Sequence, residues 1–306
     1  MDTKTFFSWV PVVAAGATAV LSFSTQVSAA TVNLGEATGY NVFVLGDFTS
    51  SYSDTEGKMA IGGNANLTGY SVALKDQGGD ALVVGKDLKF QGGTVYGNAV
   101  VGGTSTVSNV DFQGGTLKSG NPIDFGKAKQ SLLNLSASYL SSSAADAKVD
   151  AWGGITLEGN GSKNVFNLAG SALSNASSLN FKGVGSFIVN VSGNNLDLKN
   201  FGFFLNGVEK QNILFNFFEA TNLTASGLGI EGSFLAPKAK VEFNNGQMNG
   251  TLVAASFTGN GQFNHVGRPP VEKPPASVPE PATLAGLGFF AAAALAASRR
   301  KAKQAA

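Results

Sequence analysis

The chain has 306 residues, with 40 glycines and 23 phenylalanines against 5 tyrosines and 2 tryptophans, and charged residues make up only 13 %. Lys+Arg at 21 against Asp+Glu at 20 gives neither the basic bias of a nucleic-acid binder nor the acidic excess of a disordered tail. With no cysteine and a single histidine, disulfide staples and thiolate metal sites are excluded. Four basic residues, Arg299, Arg300, Lys301 and Lys303, crowd the end of the chain. Setting them aside with Lys4, Asp2 and Glu280 leaves 16 basic and 18 acidic residues, a slightly acidic body.

Residues 1–29 read as an export signal. Lys4 and the amino terminus open it, an apolar stretch runs over residues 6–23, and Val27-Ser-Ala29 offers small residues for cleavage between Ala29 and Ala30. An uncleaved anchor fits less well, because Pro11, Gly16 and Thr18 dilute the apolar run.

The body, residues 30–267, begins with an alternating stretch at 40–48 closed by Gly46 and Asp47, which predicts a strand. Short apolar runs at 58–61, 65–67, 81–84, 88–90, 95–96 and 99–101 predict more strands, nearly all ending in glycine. Phe90-Gln-Gly-Gly-Thr94 returns as Phe112-Gln-Gly-Gly-Thr116, a spacing of 22. At Asp124 the period changes: Phe125, Ala128, Leu132, Leu135 and Tyr139 fall at steps of three and four, one face of a helix with Asp124 as its N-cap. Strands resume at 165–168, 178–181, 187–191, 201–205 and 212–218.

Residues 230–264 carry the densest repetition. Gly232-Ser-Phe-Leu-Ala-Pro237 is followed eighteen residues on by Gly250-Thr-Leu-Val-Ala-Ala255, and Asn245-Gly-Gln-Met-Asn249 returns after fifteen as Asn260-Gly-Gln-Phe-Asn264. Asn-Gly corners accommodate positive φ, and one coil cannot bury its own inner face, so coils stack. The expectation is a mainly β chain wound as a right-handed β-solenoid with one flanking α-helix; a hairpin-built sandwich is the rival, since Asn-Gly also marks hairpins.

Beyond His265 six of the nine prolines fall between Pro269 and Pro281, a semi-rigid spacer over 268–278. Pro279-Glu280-Pro281, an uncharged stretch over 283–297 and Arg299-Arg300-Lys301 complete the chain. The stretch is short for a span, yet flanking residues and snorkelling arginines make it long enough for a transmembrane helix with its basic end cytoplasmic.

This last segment resembles the PEP-CTERM sorting signal of Gram-negative, biofilm-forming bacteria: Pro-Glu-Pro, an apolar helix and a basic end in that order at 279–306. The resemblance implies export across the inner membrane, cleavage near Pro279-Glu280-Pro281 by an exosortase-type protease, and release or attachment at the cell surface or in the extracellular matrix. The body resembles the choice-of-anchor A domain, an adhesive module, through residues 40–48, Glu56-Gly57, 60–63, the helix at Asp124, 232–237, 250–254 and His265. Its second half is similar to the ice-binding β-solenoid family, in which a helix lies along a three-sided coil.

Chemistry-bearing groups are sparse. His265 has no partner histidine, and its position suits closing the last coil rather than catalysis. Asp54 with Glu56, and Asp76 with Asp80, are the best calcium candidates, although neither pair matches the spaced EF-hand loop and both suit turns better than metal binding. No catalytic residue, cofactor site or firm metal site is expected. The reading is a non-enzymatic surface or matrix protein, its partners the export machinery and signal peptidase, the exosortase, and extracellular polysaccharide or another surface protein, with no nucleic acid. Ice contact is the second reading, for which Thr94, Thr104, Thr106 and Thr116 are unevenly spaced. A polysaccharide-processing enzyme is the third, which needs carboxylates such as Asp54, Glu56, Asp76, Asp80 or Glu231 facing across a groove.

Overall fold

The computed structural model describes residues 32–267. The export signal with its Ala29–Ala30 junction, the proline spacer, and the sorting segment with Pro279, Glu280, Pro281, Arg299 and Arg300 lie outside the described residues. Among the described residues no helix is long and apolar enough to cross a membrane.

Strand pairing is parallel throughout except where Lys148–Val149 runs against Gly154–Gly159. Phe48 sits beside Ala65, Ala65 beside Leu88 and Leu88 beside Ser105, so a coil of the first half takes 17 or 23 residues. Parallel neighbours at such offsets come from a winding chain and not from hairpins, which removes the sandwich rival. The coils are three-sided, and each side is a ladder of strands.

The first ladder contains the unexpected connection. Val42–Val44 pairs on one side with Met59–Ile61 and on the other with Leu252–Gly259, so the first coil lies between the second and the last. From there Asp80–Val84, Asn98–Val101 and Leu117–Ser119 extend one way. Ser233–Asn244, Ile213–Asn216, Ser186–Ser192 and Lys163–Ala169 extend the other.

The second ladder is eight strands wide, from Asn195–Lys199 through Asn222–Ser226 and the strands Ser233–Asn244, Leu252–Gly259, Phe48–Thr55, Ala65–Val72 and Leu88–Val95 to Ser105–Phe112. The third takes the far halves of the last four, then Gln262–Asn264, Gln247–Asn249 and Gly229–Glu231. Inside the triangle the alternation of each strand stacks apolar side chains: Phe48 lies on Phe257 at 4.6 Å, and the buried Tyr70 hydroxyl meets Thr55 Oγ1 at 2.6 Å.

The corner between the second and third ladders is left-handed on nearly every coil. Tyr52, Gly69, Gly92 and Asn109 occupy equivalent places with φ of 56°, 58°, 68° and 54°, and Asn200, Gly227 and Asn245 do the same at 61°, 66° and 54°. The Asn-Gly expectation therefore holds at Asn245; on the next coil Gly259, at 139°, takes the positive φ in place of Asn260. The 22-residue repeat is a coincidence of sequence, since Phe90 stacks on Val107 and Phe112 on Val95. Residues 40–48 form not one strand but Val42–Val44 and then a corner, because Gly63 packs against Gly46 and Asp47 there. The apolar run at 212–218 shortens to the strand Ile213–Asn216, its start set by a 3-10 turn at Lys210–Asn212. The strands Ser105–Phe112 and Leu117–Ser119 and a short helix, Gly170–Ser174, were not legible in the apolar pattern.

The flanking helix, α1, runs over Phe125–Leu140, and Asp124 Oδ1 accepts the Lys127 N–H at 3.0 Å as its N-cap. Sixteen residues at 1.5 Å rise cover about 24 Å. Five strand steps of about 4.8 Å cover the same length. Accordingly Phe125 lies against Phe43 and Gly62, while fourteen residues on the Tyr139 carbonyl accepts from Asn190 Nδ2 at 3.1 Å. Ala128, Leu132 and Tyr139 are buried on the first ladder with Phe43, Leu214, Leu235 and Val253, and Leu135 packs half-buried beside them. Lys127, Lys129 and Asn134 face water, as the period requires. Burial also pushes the Tyr139 hydroxyl up to about 12.

Candidate functional site

Two surfaces merit description: the seam where first and last coils meet, and the broad second ladder. The seam gathers residues far apart in sequence. Asn41 Nδ2 donates to the Gly250 carbonyl at 2.5 Å and to that of Asn264 at 3.3 Å, while its Oδ1 accepts the Gly57 N–H at 3.1 Å. Glu56, buried, accepts the His265 N–H at 2.9 Å through Oε2 and pairs with Lys75 Nζ at 2.7 Å through Oε1. Thr251 Oγ1 donates to the Tyr40 carbonyl at 2.9 Å. His265 thus closes the last coil through its backbone, as its position suggests.

Along the third ladder a row of side chains continues from this joint. Asn264 Nδ2 donates to Asn249 Oδ1 at 2.9 Å, Asn249 Nδ2 donates to Glu231 Oε1 at 3.0 Å, and Lys210 Nζ stands 3.3 Å from Glu231 Oε2. Two adjoining clefts open over the row. One, of about 260 Å³, includes Tyr40, Asn41, Asp76, Gln211 and His265 in its wall. The other, of about 520 Å³, includes Glu56, Lys75, Lys210, Gln247, Asn264 and His265.

The calcium candidates are dispersed by this arrangement. Glu56 is tied to Lys75, and Asp54 stands on the neighbouring row with its Oδ1 buried, where burial and then the Glu56 charge raise its carboxyl above the usual range. Asp76 lies 3.9 Å from Lys58, and Asp80 accepts from Asn98 Nδ2 at 3.1 Å. Among the described residues no group of three or more histidine or carboxylate side chains is placed to hold a metal ion. Glu56 and Glu231 share a row but stand three strands apart, about 14 Å. That exceeds the roughly 5–9.5 Å of a glycosidase carboxylate pair.

The second ladder presents its polar positions in straight rows. One row reads Asp197, Thr224, Glu242, Thr258, Thr49, Asn66, Lys89 and Thr106 across eight strands, about 34 Å. The row beside it includes Lys199, Ser226, Asn244, Ser51, Thr68, Gln91 and Ser108. Sequence spacing could not reveal these rows, because a threonine's neighbour across the ladder is anywhere from 16 to 27 residues away, or 209 at the seam.

A search of curated proteins finds no match. Among solved structures the chain is similar to an ice binding protein from an Antarctic Biological Consortium, at 13 % identity and a TM-score of 0.44, covering 84 % of this chain and 95 % of that one. An ice-binding protein from the Antarctic ascomycete Antarctomyces psychrotrophicus gives 14 % identity and a TM-score of 0.36, covering 78 % of this chain and all of that one. A family model described as "Putative Ice-binding-like adhesive domain" matches residues 33–265, the whole three-sided coil and its helix, and the chain belongs to that family.

Proposed function

We propose that the protein is an exported, non-enzymatic adhesive or structural protein of the cell surface or extracellular matrix, which makes contact through the flat polar rows of the second ladder. The observation that carries this reading is the row from Asp197 to Thr106: an eight-strand surface of hydroxyl, amide and charged groups in register. Hydroxyl and amide side chains both donate and accept, which suits extracellular polysaccharide or the polar surface of another protein. An ordered ice contact is less well served, because Asp197, Glu242 and Lys89 interrupt the hydroxyls of that row.

The proposal includes the choice-of-anchor A assignment and a right-handed winding of the coils. It also includes the route: signal peptidase cleavage between Ala29 and Ala30, passage across the inner membrane of a Gram-negative cell, and retention through the 283–297 segment until an exosortase-type protease cuts near Pro279-Glu280-Pro281. What supports the route is the order of sequence elements, with Arg299 and Arg300 at the cytoplasmic end.

The test is retention of the exported protein on the polysaccharide matrix of its host cells. Thr68→Lys together with Thr258→Lys, on exposed or half-exposed positions of the second ladder, should release the protein into the medium while its melting temperature stays unchanged. Undiminished retention of that variant would overturn the role given to this face. Mass spectrometry of the mature protein checks the route: Arg299 and Arg300 should be absent from it.

A further inference from the structure

The seam clefts differ from the second ladder in kind: they are concave, and their charges are already neutralised. Three lysines reach this region, and each is matched to a carboxylate: Lys75 with Glu56 at 2.7 Å, Lys210 with Glu231 at 3.3 Å and Lys58 with Asp76 at 3.9 Å. A groove balanced in this way neither steers a polyanion nor concentrates a cation.

The amides divide into two sets. Asn41, Asn249 and Asn264 are consumed in the wall, bonded to one another's coils, and so form a fixed floor. The side chains of Gln211, Gln247 and His265, which also line the clefts, make no hydrogen bond to another described residue. These are groups that both donate and accept, held over a rigid base, with Tyr40 and Val266 supplying apolar wall. A ligand fitting that set is uncharged and dense in hydroxyls, with apolar ring faces. We infer that the seam groove is a second binding site, for a neutral oligosaccharide. The inference goes beyond the adhesive reading and does not depend on the second ladder.

The experiment titrates the full exported protein by calorimetry with four soluble probes: a neutral cello-oligosaccharide, a neutral dextran, an alginate oligosaccharide and a chitosan oligosaccharide. The neutral probes should bind, and the charged ones should bind more weakly. Gln211→Ala with Gln247→Ala should weaken the neutral probe by about ten-fold or more, the loss of one or two hydrogen bonds, without moving the melting temperature. Thr68→Lys with Thr258→Lys should leave that affinity unchanged, so failure of the groove and failure of the second ladder are read separately. No binding of either neutral probe, a preference for a charged one, or an affinity untouched by the double glutamine variant would each overturn the inference.

Discussion

Alanine at Gly250 would drive a methyl group into the neighbouring coil. The added Cβ would stand 2.3 Å from the Gly232 carbonyl oxygen and 2.5 Å from its carbon, whereas ordinary contact begins at 3.4 Å. Both atoms belong to backbone, so the two coils must part by about 1 Å to admit it. Across that gap run Gly232 N–H to Asn249 O at 3.1 Å, Phe234 N–H to Thr251 O at 2.9 Å and Thr251 N–H to Ser233 Oγ at 3.0 Å. Lengthened by that amount, none of the three remains a hydrogen bond. At about 1–1.5 kcal/mol each, the loss comes to roughly 3–4.5 kcal/mol. For a domain of this size that lowers the melting temperature by roughly 6–18 °C. Gly267→Ala is the control, because nothing lies within 4 Å of its added Cβ. Thermal unfolding of the two variants, followed side by side by circular dichroism, decides the matter. Melting temperatures within about 2 °C of each other would refute the coil-on-coil contact at Gly250.

Two further perturbations probe the helix and a carboxylate. Leu132→Ala, at a fully buried position under α1, should cost about 2–5 kcal/mol, whereas Lys129→Ala on the wet side should stay within about 0.5 kcal/mol; equal unfolding midpoints in urea would mean that the helix is not seated on the first ladder. Asp54 has its carboxyl pKa raised by burial first and by the Glu56 charge second. Its neutral form therefore favours folding below the ordinary carboxylate range, and that contribution is lost as pH rises through the raised value. Asp54→Asn should accordingly raise the melting temperature near pH 7 and leave it unchanged near pH 3; an equal shift at both would place the cause elsewhere.

The winding of the chain was legible wherever the repeat was local. Gly232 and Gly250 stack directly, Asn245 and Asn260 bond across a single coil at 2.8 Å, and Asp124 caps the helix that the apolar period marks. A stronger repeat hides in the first half. Residues 42–48, 59–65, 82–88 and 99–105 each carry three apolar residues, then glycine within the next two positions and Asp, Asn, Asp or Thr at the sixth, and they lie in register. At that sixth position Asp47 Oδ1 accepts from Asn64 N, Asn64 Oδ1 from Asp87 N, and Asp87 Oδ1 from Thr104 N, one side chain reaching the next coil each time. Spacings of 17, 23 and 17 disguise the pattern, because the middle coil carries the extra loop at residues 74–79. The seam was not legible at all. Nothing in Asn41 or Gly250 alone announces a partner 209 residues away, and only the completed winding brings Tyr40, Glu56 and His265 to one place.

The position of Val42–Val44 between Met59–Ile61 and Leu252–Gly259 also sets the order in which the protein can form. Coils next to each other in sequence close short loops and assemble quickly, but the sheet joins into one body only when residues 252–254 reach the first strand. Until then each half has an open inner edge, where Val42 and Leu252 offer unpaired backbone to any neighbouring chain. A chain truncated before Leu252 would keep that edge permanently, and a chain emerging from its N-terminus carries it until almost the whole body is through. The last coil therefore acts as the closing step of folding. Those inner edges stay open for nearly the entire time of the chain's emergence, and they are covered once Asn41 has found Gly250.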